Sequence, residues 1–127
     1  MSNVPDGLRY TKEHEWAKIE GKRVRVGITD FAQDQLTDVV YVEPPPIGKT
    51  VKQGDPIGTV ESVKAVSEIF SPVTGKVVET NKVLSDKPEL VNKDPYGEGW
   101  MVVLESVDPT EAKALMDSAA YRRHIGD

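Results

Sequence analysis

The sequence predicts an all-β core, with a short helix near residues 30–37 and a helical extension at the C-terminal end. Three observations carry that expectation. Valine is abundant while two Trp, four Tyr and two Phe supply all the aromatic bulk, and β-branched residues fit a pleated, half-buried surface. Nine prolines and ten glycines are scattered along 127 residues, which suits short strands joined by tight turns. Apolar residues alternate over several short runs, the period-2 mark of strands with one buried face. With 38% hydrophobic residues the chain fills one modest core but not two. The expected organisation is one domain over residues 1–127, its core at about 8–107 and its extension at about 108–125.

From His14 to Ile28, Trp16 and Ile19 precede a Glu20-Gly21-Lys22 turn and Val24, Val26 and Ile28 follow it, which predicts a hairpin. Asp30-Phe31-Ala32-Gln33 has the form of a capping box, an acid at the N-cap and Gln at N3, so a short helix is expected with Phe31, Ala32 and Leu36 inward, ending near Asp38. Val39-Val40-Tyr41-Val42 reads as a buried strand stopped by Pro44-Pro45-Pro46. Two runs of strand-type residues lie between Val51 and Val83, broken by turn chemistry at Gly54-Asp55-Pro56 and Ser71-Pro72-Val73-Thr74-Gly75. Pro88 to Asp94 suits one irregular helical turn, and Trp100 to Leu104 a last core strand. Asp108-Pro109-Thr110-Glu111 opens a helix with an N-cap acid, Pro at N1 and a capping-box Glu, and Ala112, Leu115 and Met116 give it an apolar stripe. That helix covers the β core or serves as a docking surface.

The formal charge is -5 and the basic residues are interspersed with acidic ones, which argues against a phosphate-tracking stripe and nucleic acid. No apolar run approaches the roughly 18 residues of a membrane span, and Met1 to Gly7 lacks the charged and apolar blocks of a signal peptide. The expected setting is the bacterial cytoplasm, or a mitochondrial matrix if a transit peptide has been removed. With no cysteine there are no disulfides, thiolate metal sites or cysteine nucleophiles. His14 and His124 are too few and too distant in sequence to suggest a metal cluster, and no metal is expected.

Outward from the Lys64-Ala65 bond the sequence is mirrored: Val63 with Val66, Ser62 with Ser67, Glu61 with Glu68, Val60 with Ile69. Such symmetry predicts a hairpin in which these pairs face each other and Lys64 stands at the exposed tip. Two local rules fail there. Lys-Ala lacks the Asn-Gly or Gly of a tight primed turn, and Glu61 opposite Glu68 sets like charges side by side. Failures of local rules often mark function. A lysine on a rigid tip offers an accessible amine, and an acyl group on it becomes a tether that reaches several active sites, with the cofactor supplying the reactivity.

Glu61-Ser62-Val63-Lys64-Ala65 followed by Ser71-Pro72-Val73-Thr74-Gly75 resembles the lipoyl attachment signature of the glycine cleavage system H proteins. The resemblance extends through His14-Glu15-Trp16, Val26-Gly27-Ile28-Thr29-Asp30, Tyr41-Val42-Glu43, Pro88-Glu89-Leu90-Val91-Asn92 and Asp94-Pro95-Tyr96-Gly97-Glu98-Gly99-Trp100-Met101. It implies a barrel-sandwich hybrid, two small β-sheets facing each other, with lipoate attached covalently at Lys64. It implies a non-catalytic carrier whose arm takes an aminomethyl group from a pyridoxal-phosphate glycine decarboxylase to a tetrahydrofolate-dependent aminomethyltransferase, and whose dithiol is reoxidised by a flavin-dependent dihydrolipoamide dehydrogenase. Lipoate-attaching enzymes are implied as well, with Glu61 and Gly75 at positions that help them recognise the hairpin. A monomer is expected. The loaded arm carries an amine that is protonated near neutral pH, so docking carboxylates are expected at Glu15 and Glu68. Glu68 departs from the Asp of some relatives. Gly75 also reads as a turn residue needing positive φ, and Trp16, Tyr41 and Trp100 as core.

Other readings compete. A biotinyl carrier would have methionines beside the lysine, whereas Val63 and Ala65 stand here. A lipoate relay passing the arm to other dehydrogenase complexes is the alternative within the carrier class. A hydrolase using Glu61 and Glu68 as acid and base lacks a nucleophile, a metal cluster or a phosphate loop. A cofactor-free interaction module would leave Lys64 unmodified.

Overall fold

Nine strands and four short helices follow one another in the computed structural model, which describes residues 2–126. The expected domain limits, Met1 and Asp127, lie outside the described residues. Strands β1 (Arg9–Tyr10), β2 (Glu15–Glu20) and β3 (Arg23–Ile28) come first, then helix α1 (Asp30–Leu36) and β4 (Val39–Glu43). Strands β5 (Thr50–Val51), β6 (Pro56–Ser62), β7 (Val66–Phe70) and β8 (Gly75–Thr80) follow, then a 3₁₀ turn at Lys82–Ser85 and helix α2 (Leu90–Lys93). Strand β9 (Val102–Ser106) precedes α3 (Pro109–Lys113) and α4 (Ser118–Ile125).

A six-stranded sheet has the order β1-β2-β3-β9-β8-β5 and a three-stranded sheet the order β4-β6-β7, every pairing antiparallel. Val24, Val26, Ile28, Val77 and Leu104 of the large sheet join Val39, Val42, Val60 and Ile69 of the small one in one aliphatic core. The two sheets therefore face each other in the barrel-sandwich arrangement. A second, aromatic cluster of Tyr10, Trp16 and Tyr121 fastens α4 to the outside of β1 and β2, with the Tyr10 and Tyr121 rings stacked 4.7 Å apart. Trp16 is fully buried there, and its indole N–H donates to the Pro95 carbonyl at 2.9 Å.

Several local expectations are corrected. Thr29, not Asp30, caps α1: its hydroxyl accepts from Ala32 N, while Asp30 occupies the first helical position and is bonded by the Gln33 amide. Strand β4 is half-buried, with Val40 50% and Tyr41 48% exposed, because a bulge between Val39 and Tyr41 turns both outward. Tyr41 is thus not core, and Trp100 is half-buried beneath the Arg25 guanidinium, 5.2 Å from the ring centre. The C-terminal helix is two helices. Its chain is interrupted where Met116 forms a backbone bridge with Tyr10, and Glu111 reaches Thr74 instead of closing a capping box. Among the described residues, no helix is long and apolar enough to cross a membrane.

Candidate functional site

Strands β6 and β7 form the hairpin that carries Lys64, but not in the mirrored register. Glu61 pairs with Val66, Val60 with Ser67 and Thr59 with Glu68. The tip is Val63-Lys64, flanked by Ser62 and Ala65, whose backbone N–H···O bond is 2.8 Å. Neither tip residue has a positive φ, so no primed turn is built and no glycine is called for. The Ser62 hydroxyl does the turn's work instead, accepting from Lys64 N at 3.2 Å and Ala65 N at 3.1 Å. The expected like-charge pair also dissolves, since Glu61 and Glu68 lie diagonally across the two strands rather than directly opposite.

Tertiary bonds hold the tip from outside the hairpin. Val63 N donates to the Asp38 carbonyl at 3.0 Å, and the bend before β4 is itself gripped by Asn92 of α2. The Asn92 amide donates to the Thr37 carbonyl at 2.7 Å and its oxygen accepts from Val39 N at 2.9 Å. That grip accompanies the unusual φ of 65° at Thr37. Lys64 is exposed, and its Nζ lies 3.5 Å from the Gln35 carbonyl at the end of α1. Ser62, Asp38, Gln35 and Asn92 were not singled out as site residues by sequence reasoning; their work is done by short polar contacts that leave no periodic trace.

Gln35 is on the rim of a cleft of about 270 Å³ that runs between α1 and β7. Phe31, Ala32, Leu36, Ile28 and Ile69 give it an apolar lining, and Glu13, His14 and Glu68 supply polar groups. Burial and the neighbouring His124 push the His14 imidazole below its ordinary pKa. Its Nδ1 is 2.8 Å from the Tyr121 hydroxyl, which also bonds the buried Thr29 at 2.7 Å. His14 and His124, distant in sequence, come within 5.7 Å ring to ring.

Glu15 opens on a different cleft, of about 300 Å³, bordered by Phe70, Gln53 and Leu115. The structure therefore does not bring Glu15 and Glu68 into one pocket; Glu13 borders both. The Glu15 side chain is 1% exposed, accepts from the Thr11 hydroxyl, and receives Phe70 N at 3.3 Å. Burial outweighs these hydrogen bonds and raises its pKa to about 7. Gly75 begins β8 and is not among the glycines with positive φ, so the turn reading of it is corrected. A side chain there would collide with the Glu105 carbonyl of β9, so close backbone approach explains the glycine.

A family model described as "Glycine cleavage H-protein" matches residues 8–127. The chain is 58% identical to the "Glycine cleavage system H protein" of Anaeromyxobacter sp. (strain K), over 96% of this chain and 95% of that one. It is 51% identical to the protein of the same name from Halalkalibacterium halodurans, over 100% of this chain and 99% of the other. Among solved structures, the crystal structure of a glycine cleavage system H protein from Mycobacterium marinum superposes with a TM-score of 0.89 at 36% identity, covering 98% of this chain and 100% of that one.

Proposed function

The chain belongs to the glycine cleavage H-protein family, and from that premise we propose that it is the lipoyl carrier of a glycine cleavage system, with lipoate joined to Lys64 in amide linkage. The observation that carries the reading is an exposed lysine amine on a tip held by Ser62 and Asp38, beside an apolar cleft with acidic groups on its rim. The comparisons do not favour the lipoate relay, because the matched relatives bear the glycine cleavage name.

The site's residues suit the group. An acyl chain ending in an apolar sulfur ring needs an anchoring amine in solvent and an apolar berth within reach, and sulfur sits well against aromatic edges such as Phe31. When bound, the lipoyl group supplies the dithiolane that accepts an aminomethyl group from glycine decarboxylase and yields it to the aminomethyltransferase. The protein's own residues hold and orient. Ser62 and Asp38 fix the direction in which Lys64 leaves the sheet, and Gln35 marks the side towards the cleft. Glu68 begins about two residues of strand beyond Val66, roughly 7 Å at 3.3 Å per residue, so an arm lying along β7 meets its carboxylate. His14, neutral because its pKa is lowered, does not repel a protonated amine there.

Glu15 is the second docking group of this reading. Its carboxyl is poised near neutrality, and an ammonium entering its cleft would draw it to the ionised form, since a nearby opposite charge favours ionisation. Glu61 and Gly75 serve the lipoate-attaching enzymes, Gly75 by letting β8 and β9 close behind the hairpin. The chain acts as one carrier domain and a monomer, makes and breaks no substrate bond itself, and works in the cytoplasm with a dihydrolipoamide dehydrogenase returning the dithiol to the disulfide. Glu61 and Glu68, the pair a hydrolase would need, are both exposed, and only Glu68 lines the cleft, so the two do not face each other across it.

Intact-mass measurement with peptide mapping, after incubation with a lipoate–protein ligase, lipoate and ATP, tests the assignment. One lipoyl group on Lys64 is expected. Absence of any added mass, or its placement on another lysine, sinks the carrier reading of this site.

A further inference from the structure

Large apolar side chains left in water gather around the lysine tip. Val40, Tyr41, Val63 and Val66 are 50%, 48%, 69% and 64% exposed, and they belong to β4 and to the hairpin. Register shows how they are arranged. Tyr41 pairs with Glu61, which pairs with Val66, so these three form one row across the small sheet on its outer face. The next row on that face is Glu43, Thr59 and Glu68. The opposite face, with Val42 and Val60, is the core.

Charge on this sheet is one-sided. Strands β4, β6 and β7 contain no lysine or arginine, and their three acidic residues, Glu43, Glu61 and Glu68, are all exposed and all on the outer face. Among the described residues, no hydrogen bond or ion pair engages any of the three carboxylates, in contrast to Asp30 and Glu111, which are bonded within the chain. An apolar centre of Tyr41 and Val66 ringed by unpaired carboxylates, next to a reactive amine, is the composition of a binding face rather than of an ordinary solvated surface.

We propose that this outer face, with Tyr41 and Val66 at its centre and Glu43, Glu61 and Glu68 around them, is the surface that the lipoate-attaching enzyme seats before it acylates Lys64. The proposal rests on the carrier reading and extends recognition from the hairpin to the neighbouring strand β4. The partner's matching surface is an apolar patch rimmed by arginine and lysine. The aromatic anchor gives affinity and the carboxylates give steering, so the two act on different kinetic quantities.

The test is the rate of lipoyl transfer from lipoate and ATP by a lipoate–protein ligase to three versions of the full chain. Tyr41→Ser with Val66→Ser should raise KM by roughly tenfold or more with kcat little changed, as expected of a buried anchor. Glu43→Gln with Glu61→Gln and Glu68→Gln should lower kcat/KM at low salt and flatten its dependence on ionic strength. Ile19→Ser with Glu20→Gln, an exposed isoleucine and an exposed acid on β2 of the other sheet, should transfer like wild type. Thermal melting accompanies each, because substitutions of exposed residues should leave stability alone. If wild type accepts lipoate while the first two variants keep its KM and its salt dependence, the docking face is wrong and the carrier reading stands. If wild type accepts none, both fall.

Discussion

The two tight hairpins of this chain solve the same problem in opposite ways. Hairpin β2–β3 turns at Gly21-Lys22 with Gly21 at φ 66°, its register running without a slip from Glu15–Ile28 to Glu20–Arg23. Hairpin β6–β7 turns at Val63-Lys64 with no positive φ, its pairing shifts between Pro56 and Thr59, and its tip hangs on the Ser62 hydroxyl and the Asp38 carbonyl. The first is specified by a residue at its own corner, the second by groups around it. A turn shaped from outside leaves its corner residues free, and that freedom is what lets a lysine occupy the tip.

The sharpest way to separate the two is to remove the lysine's chemistry and keep its charge. Lys64→Arg should abolish lipoyl transfer completely, since the guanidinium does not take the place of the acylated amine. Its melting should stay within about 0.5 kcal/mol of wild type, as for an exposed residue without buried contacts. Mass spectrometry and a melting curve decide it. Residual lipoylation of the variant would mean that another lysine is the acceptor.

Glu15 joins the hairpins, standing at the base of β2 and accepting Phe70 N at the far end of β7. Its carboxyl titrates near 7 in the fold against 4.5 when free, because burial disfavours the charged form. A raised carboxyl pKa contributes stability that is full below 4.5 and is lost as pH rises to 7. The shift corresponds to roughly 3 kcal/mol. Relative to Glu15→Gln, wild type should therefore lose about that much stability across this interval, measured by urea unfolding at each pH. Parallel pH profiles for the two proteins would show that the carboxyl is ionised throughout.

Legibility in the sequence divides along the same line. The β2–β3 hairpin was readable because alternation and a glycine agree on one register. At β6–β7 the mirrored residues gave the correct faces and the wrong partners. Val60 and Ile69, expected to face each other, are both buried on one face, yet Val60 pairs with Ser67. A slip of one residue would have exchanged the faces, whereas the actual offset of two preserves them, and hydrophobic pattern is blind to it. Only turn chemistry breaks the tie, and here the decisive group is a serine hydroxyl bonding backbone two and three residues on, which has no periodicity. The cleft was less legible still. Glu15 and Glu68 were expected as docking acids only through the family resemblance, and their division between two clefts depends on how α1 and the Thr11 turn lie against β7.

Gly27 tests packing in the first hairpin. Its position faces Trp16 across the strands, and a Cβ there would come within 2.7 Å of the Trp16 Nε1. Gly27→Ala should cost about 1–3 kcal/mol, the usual range for overpacking a buried site, because Trp16 is fixed by its bond to Pro95 and has little room to yield. Lipoyl transfer at 20 °C or below its melting point should be unchanged. A stability within error of wild type would mean that the indole moves freely.

The smallest effects give the most direct contrast between the tips. Gly21→Ala forces a side chain into a left-handed conformation and should cost about 1 kcal/mol, with no consequence for lipoyl transfer because the turn lies in the other sheet. Ser62→Ala removes the acceptor of Lys64 N and Ala65 N and should also cost about 1 kcal/mol. Unlike the first change, it should slow lipoyl transfer several-fold, since the tip loses the bonds that aim Lys64. Two variants of equal stability and unequal transfer rate would locate the function in the orientation of the tip. Equal rates would mean that Asp38 alone holds the loop, and that the serine hydroxyl contributes only to folding.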